Sequence, residues 1–84
     1  MSYYVYMLKS VSRKPATYVG YTKNLTNRIK LHNTGKGAKF TRGSNWKMIY
    51  NKKYINKEKA MSEEYKLKKN YKLRNKIKNS YYNN

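Results

Sequence analysis

The chain opens with Tyr3-Tyr4-Val5-Tyr6-Met7-Leu8, a run without charge and without polar alternation. Such a compact stretch of β-favouring residues reads as a strand buried on both faces. Thr17-Tyr18-Val19-Gly20-Tyr21 reads as a second strand, paired with the first as a hairpin. Ser10 to Ala16, with the only proline, Pro15, supplies the turn between them. Asn24 is placed to cap a helix from Leu25 to about Asn33. Gly35, Gly37 and Gly43 then punctuate a loop that also carries Lys36, Lys39, Phe40, Thr41 and Arg42. Trp46 to Tyr54 reads as a third strand. Asn56 can cap a second helix from Lys57 to about Lys69, and a third follows from Tyr71 to about Lys78. The tail from Tyr81 to Asn84 is expected to fray. No internal repeat or Pro/Gly/Ser linker divides the chain, so residues 1–84 read as one domain. The order β-β-α-β-α-α, with helices on one small sheet, is of the α+β class.

Helical spacing singles out a few polar side chains. Leu25, Arg28, Ile29 and His32 stand at i, i+3, i+4 and i+7, a single stripe that a helix this short must bury to be stable. Arg28 and His32 therefore face the sheet edge or a cleft, either as chemistry or as ordinary borders of the core. On the second helix Ala60, Glu64, Leu67 and Tyr71 form another stripe, and it contains a carboxylate. Glu63 lies about 100° from that stripe, on the polar side. Glu58 sits in the first turn, where a negative charge suits the helix dipole. Glu64 alone lacks such an explanation. A carboxylate on the buried side needs an arginine or lysine partner, a hydrogen-bond network or a metal ion. On the second strand Gly20 marks a close approach of backbone or ligand.

Charge changes the picture next. The 84 residues hold 21 Lys plus Arg against 3 acids, 21 − 3 = +18, and none of the acids is aspartate. That excess calls for a polyanion, and nucleic acid fits better than an anionic membrane, which needs a basic helix with bulky apolar anchors. A lysine-rich compositional bias is the bland alternative. The absence of cysteine excludes a disulfide framework, a thiolate zinc site and a cysteine nucleophile. A single histidine and three glutamates cannot build a rich metal cage. Without aspartate there is no Ser-His-Asp triad, and a glycosidase needs two carboxylates. No run approaches the roughly 20 apolar residues of a membrane span. The N-terminus lacks a signal-peptide pattern, so an intracellular protein, nucleoid-associated if bacterial, is expected. The remaining inventory of arginine, imidazole, phenols, one carboxylate and a strand glycine suits phosphodiester chemistry with a hard divalent ion.

Those residues resemble the GIY-YIG nuclease superfamily, in its small single-domain bacterial branch. Tyr4-Val5-Tyr6 followed by Tyr18-Val19-Gly20 is similar to the paired motif that names the family, with Tyr4 where the name has glycine. Arg28 and His32 follow as in the family's first helix. The stretch from Asn33 to Arg42 resembles the branch's glycine-basic loop, and Ala60 to Lys68 resembles its helix carrying a metal-binding glutamate. The resemblance spans about residues 3 to 69. It implies a three-stranded antiparallel sheet flanked by helices and a DNA endonuclease that nicks phosphodiester bonds. Tyr6 would be the general base or orient the attacking water, and Tyr18 would support the water or the phosphate. Arg28 would hold the phosphate, and His32 would hydrogen-bond a catalytic tyrosine. Glu64 would hold one Mg²⁺ or Mn²⁺, and Gly20 would keep the floor of the site open. An asparagine beyond the glutamate often assists in the family; Asn70, Asn75 and Asn79 follow here, and none of them is assigned that part.

Three expectations follow. Lys36, Lys39 and Arg42 should bind the nucleic-acid backbone. A metal and the lysine field should depress the Tyr6 pKa below its usual value near 10. The partner is DNA, with branched or damaged forms included and a protein partner left open. A basic binding module without efficient cleavage, or a subunit active only with a partner, is the alternative.

Overall fold

The structure, a computed structural model, describes residues 2–11 and 16–82. Pro15 and the rest of the first turn's centre, and Asn83 and Asn84 of the tail, lie outside the described residues. Three strands and three helices follow in the expected order: β1 Tyr3–Ser10, β2 Thr17–Thr22, α1 Leu25–Asn33, β3 Trp46–Tyr54, α2 Lys57–Lys69 and α3 Tyr71–Tyr82. The sheet is antiparallel with order β2-β1-β3. β1 runs two residues beyond Leu8, because Lys9 and Ser10 continue the ladder against both neighbours or against β3 alone. α3 continues through Tyr82, so the expected fray at Tyr81 is replaced by helix.

The charge-free opening run makes sense as the central strand. Val5, Tyr6, Met7 and Leu8 are all buried, alternately on the two faces of the sheet. Val5 and Met7 join Val19, Ala60 and Leu67 on the face covered by α2. Tyr6 and Leu8 join Trp46 on the other face, with Tyr18, Leu25 and Ile29 packed against them. A register shift opposite Met7 and Leu8 lets β3 change phase. Trp46 and Met48 pack with Leu8 before it, whereas Ile49 and Tyr50, consecutive in sequence, both pack with Met7 after it. Such a bulge re-aims the strand without breaking the sheet.

Asparagines start all three helices. Asn24, Asn56 and Asn70 accept from the backbone N–H of Asn27, Lys59 and Leu73 at 3.0, 2.8 and 3.0 Å. Asn70 is therefore occupied as a cap at the junction between α2 and α3. That junction also corrects the expected stripe on α2: Ala60 and Leu67 are buried, but Tyr71 opens α3 and is 66% exposed. No helix among the described residues is long and apolar enough to cross a membrane.

Candidate active site

The register of the β1–β2 hairpin places Tyr6 opposite Gly20. The Tyr6 ring uses the space that the glycine leaves: a Cβ added at Gly20 would sit 2.5 Å from Tyr6 Oη and 3.1 Å from Cε2 of Tyr18. The opening expected at Gly20 is thus filled from within the fold, by the phenol itself. Gly20→Ala is expected to push the buried ring off its partners and to cost about 1–3 kcal/mol, the usual range for overpacking. Urea unfolding measures this, and an unchanged midpoint would show that the ring has room to move.

From α1, His32 and Arg28 reach the same hydroxyl. Tyr6 Oη lies 2.8 Å from His32 Nε2, with both residues fully buried. Arg28 Nε–H donates to Tyr6 Oη at 3.3 Å. The other imidazole nitrogen, Nδ1, lies 2.9 Å from Thr41 Oγ1. Thr41 donates its hydroxyl proton to the Ala38 carbonyl at 3.0 Å. A hydroxyl has one proton to give, so Thr41 accepts from His32, and Nδ1 carries the imidazole hydrogen. Nε2 is then bare and accepts the Tyr6 proton. The donors run in one direction: Arg28 to Tyr6, Tyr6 to His32, His32 to Thr41, Thr41 to Ala38.

Electrostatics agree with this direction and overturn one expectation. Burial pushes the Tyr6 phenol up to about 12; the Arg28 hydrogen bond and charge oppose the rise without prevailing, and Tyr18 and Glu64 add to it. Desolvation outweighs the one neighbouring cation that opposes it, Arg28, so the phenol of the free protein keeps its proton. Burial first, and then the Arg28 charge, hold the His32 imidazole below its ordinary pKa of 6.5, so it is neutral at neutral pH. Arg28 is held more firmly charged than usual, chiefly by its hydrogen bond to Tyr6.

Tyr18 and Glu64 border this chain of donors. The Tyr18 ring lies 4.8 Å from the His32 ring and 6.4 Å from the Tyr6 ring, centre to centre. Glu64, on α2, has a side chain only 15% exposed and pairs with Lys68 at 3.5 Å. The lysine partner foreseen for it is therefore present. Glu63 pairs with Lys66 at 3.0 Å and Lys59 at 3.6 Å, and the Lys66 bond holds its carboxyl below the ordinary range. Glu58 occupies the first turn of α2. Among the described residues, no three His, Cys, Asp or Glu side chains gather where they could cage a metal ion. One mostly covered carboxylate fits a hard ion such as Mg²⁺, which completes its shell with water and phosphate oxygens.

The loop between α1 and β3 has a buried side and an exposed side. Thr41 is fully buried, and its carbonyl accepts from Trp46 Nε1 at 2.8 Å. Gly37 presses its backbone onto the imidazole, since an added Cβ would stand 2.5 Å from His32 Nδ1. Lys36, Lys39 and Arg42 are exposed on the same loop. Thr41 and Gly37 contact the His32 imidazole, and sequence reasoning did not single them out. The doubled glycine ahead of a lone threonine was the available signal, but a loop hydroxyl has no periodicity to show which way it faces.

A donor chain of arginine, tyrosine and histidine on this hairpin and helix matches what the sequence resembles, and comparison decides the family. A family profile described as the GIY-YIG catalytic domain matches residues 2–79. The chain belongs to the GIY-YIG family. That is a nuclease-type family, and its domain implies binding of nucleic acid. Among its relatives are UPF0213 proteins of Oceanobacillus iheyensis, 50% identical over 51 residues, and of Clostridium perfringens, 50% identical over 48 residues. These matches cover 60% and 56% of the chain, and 57% and 50% of the relatives, so the matched region spans about half of their length. The solution NMR structure of a UPF0213 protein from Bacillus halodurans is similar in fold, with a TM-score of 0.55 and 36% identity over 95% of this chain and 84% of that one.

Proposed function

We propose that the protein is a divalent-metal-dependent endonuclease that nicks DNA by hydrolysing phosphodiester bonds. The observation that carries this reading is the Tyr6 hydroxyl donating to a neutral, buried His32 whose tautomer Thr41 selects. With its pKa near 12, Tyr6 does not work as a stored phenolate. It works as a relay: Oη takes a proton from the attacking water while its own proton passes to His32 Nε2. The water oxygen bonds to phosphorus, and the bond to the leaving oxygen breaks. Arg28 supplies an always-charged planar donor for the phosphate oxygens. In the free protein it covers Tyr6 Oη, so a phosphate that draws the guanidinium away also opens that oxygen to water. Tyr18 borders the phosphate side. Glu64 would hold one Mg²⁺ or Mn²⁺, which would supply charge neutralisation at the phosphate and leaving oxygen. Lys36, Lys39 and Arg42 would grip the backbone outside the reacting unit.

Incubating the protein with supercoiled, nicked, branched and single-stranded DNA, with Mg²⁺ or with a chelator, tests the reading. Metal-dependent cleavage that Glu64→Ala abolishes is expected. Tight binding with no cleavage of any substrate favours the second reading, a binding module on the same scaffold or a subunit that needs a partner. The full burial of Tyr6 in the free protein is what keeps that reading in play.

Thr41 is a positioning residue in this scheme, and its removal has a direct readout. In Thr41→Val the Nδ1–H loses its acceptor, so the proton is free to move to Nε2, where it would block the relay. Turnover is expected to fall with little change in KM, and Thr41→Ser to restore it. The chain has a single histidine, so imidazole nitrogen NMR reports the tautomer without ambiguity. Retention of the Nδ1–H form in Thr41→Val would remove Thr41 from the mechanism.

A further inference from the structure

Resting on the nuclease reading, and naming the kind of substrate it takes, we propose that Phe40 is a stacking platform for an unpaired nucleobase flanking the phosphodiester at Tyr6. Phe40 is the single phenylalanine of the chain. It is 62% exposed, whereas its neighbour Thr41 is fully buried. The ring's position is not left to a loose loop. Thr41 anchors it from one side through His32, the Ala38 carbonyl and Trp46, and the Lys36 N–H is tied back to the Leu31 carbonyl at 2.8 Å. Exposure alone does not single it out, since Tyr65 and Tyr71 are exposed as well and lone surface aromatics are ordinary; Phe40 differs in being fixed against the rings that border the site.

The surroundings point to a base in particular. The Phe40 ring stacks with Tyr18, 6.2 Å between centres and 24° between planes, and has Trp46 at 6.1 Å. Tyr18 in turn borders Tyr6 and His32. A flat ligand on Phe40 therefore lies beside the reacting phosphate. A groove of about 280 Å³ runs along this edge, lined by Thr17, Tyr18, Val19, Phe40, Lys68 and Arg74, with aromatic rings and cations but no carboxylate among them. Lys39 and Arg42 flank the ring in sequence and are exposed, as phosphates on either side of a stacked base require. Every base offers a π-face, so this contact is tolerant of sequence. In continuous duplex those faces are already covered by neighbouring bases, and exposing one costs a few kcal/mol of unstacking. A single strand, a gap or a flap presents the face without that cost.

The test uses the full chain in chelator, so that binding is read without cleavage. Oligonucleotides carry 2-aminopurine either in a single strand or gap, or paired within a blunt duplex. Quenching of the unpaired probe is expected on binding the unmodified protein and Phe40→Trp, and its loss in Phe40→Ala and Phe40→Leu. Phe40→Leu keeps the bulk and removes the π-face. Affinity for the single strand should fall about 5- to 150-fold in those two variants, the range that one stacked base supports, with duplex affinity nearly unchanged. Equal losses on single strand and duplex, or unaltered quenching in Phe40→Leu, would overturn the proposal. A protein that shows the stacking but never cleaves defeats the nuclease reading alone. One that cleaves every substrate equally well without Phe40 defeats the stacking site alone.

Discussion

Tyr6→Phe is expected to lower cleavage by about 10²- to 10⁴-fold, the range for a lost proton-transfer group, while DNA affinity changes little. The substitution removes one oxygen, the second member of a five-member donor chain. It leaves the ring in the space that Gly20 provides, so packing on that face of the sheet is conserved. What disappears is the path by which a proton leaves the attacking water. His32 Nε2 lies behind the phenol, and both residues are fully buried, so in the described fold a water reaches the imidazole only through the hydroxyl. Stability should fall as well, by about 1–3 kcal/mol, because Nε2 becomes a buried acceptor without a donor. The two effects separate by experiment. A stability loss shared by Tyr6→Phe and Gly20→Ala reports packing and hydrogen bonding, whereas loss of turnover at intact folding reports the relay. Full cleavage by Tyr6→Phe protein would show that the water is activated elsewhere.

The same chain sets the pH response. The folded imidazole titrates below 6.5 because it is buried beside Arg28. Below 6.5 the unfolded chain binds the proton and the folded chain resists it, so stability declines as pH falls through that window. Turnover declines over the lower part of it, once Nε2 is itself protonated and can no longer accept from Tyr6. The phenol acts in the opposite range: its folded pKa lies above the unfolded one, so its contribution is present below pH 10 and is lost as pH rises towards 12.

How far the sequence disclosed this depends on which physical signal each residue leaves. Tyr6, Tyr18, Arg28 and His32 lie on the strands and the helix foreseen for them, because each belongs to a regular element whose buried face is dictated by its neighbours. Asn24 and Asn56 marked the starts of α1 and α2 for the same local reason. β1 as the buried centre of the sheet was visible in its uncharged run. Three features were not visible. The α2 stripe was carried one step too far, to Tyr71: the break between the helices was legible, but spacing does not show that Tyr71, at the start of α3, has left the buried face. Thr41 and Gly37 lie in a loop, where no period tells which side is buried. In the free protein the Tyr6 pKa is raised where charge alone would lower it, because net charge is legible in a sequence and desolvation is not. The +18 field is spread over the surface, whereas the burial acts on one oxygen.

Arg28→Ala should lower turnover far more than it lowers affinity, and this contrast is the sharpest test of how the cations divide their work. The chain has 21 of them, so removing one phosphate contact from the binding surface leaves the rest in place. Arg28 differs from the others in its contacts. It is partly buried, its Nε donates to the reacting phenol, and its charge faces both tyrosines of the site. Its loss removes the donor that meets charge developing on the phosphate, an effect of about 10²- to 10³-fold where a single such donor has been deleted. Arg28→Lys should recover little, because an ammonium lacks the planar fork. The exposed cations Lys36, Lys39 and Arg42 should behave in the reverse way. Replacing all three with glutamine is expected to weaken binding and to flatten its salt dependence by about one slope unit per lost phosphate contact, with kcat nearly unchanged. Titrating affinity against salt for the two proteins decides it. If the loop triple variant keeps the full slope, or if Arg28→Ala loses affinity and turnover in equal measure, then the site and the binding surface are not separate, and the assignment of Arg28 to the reacting phosphate falls.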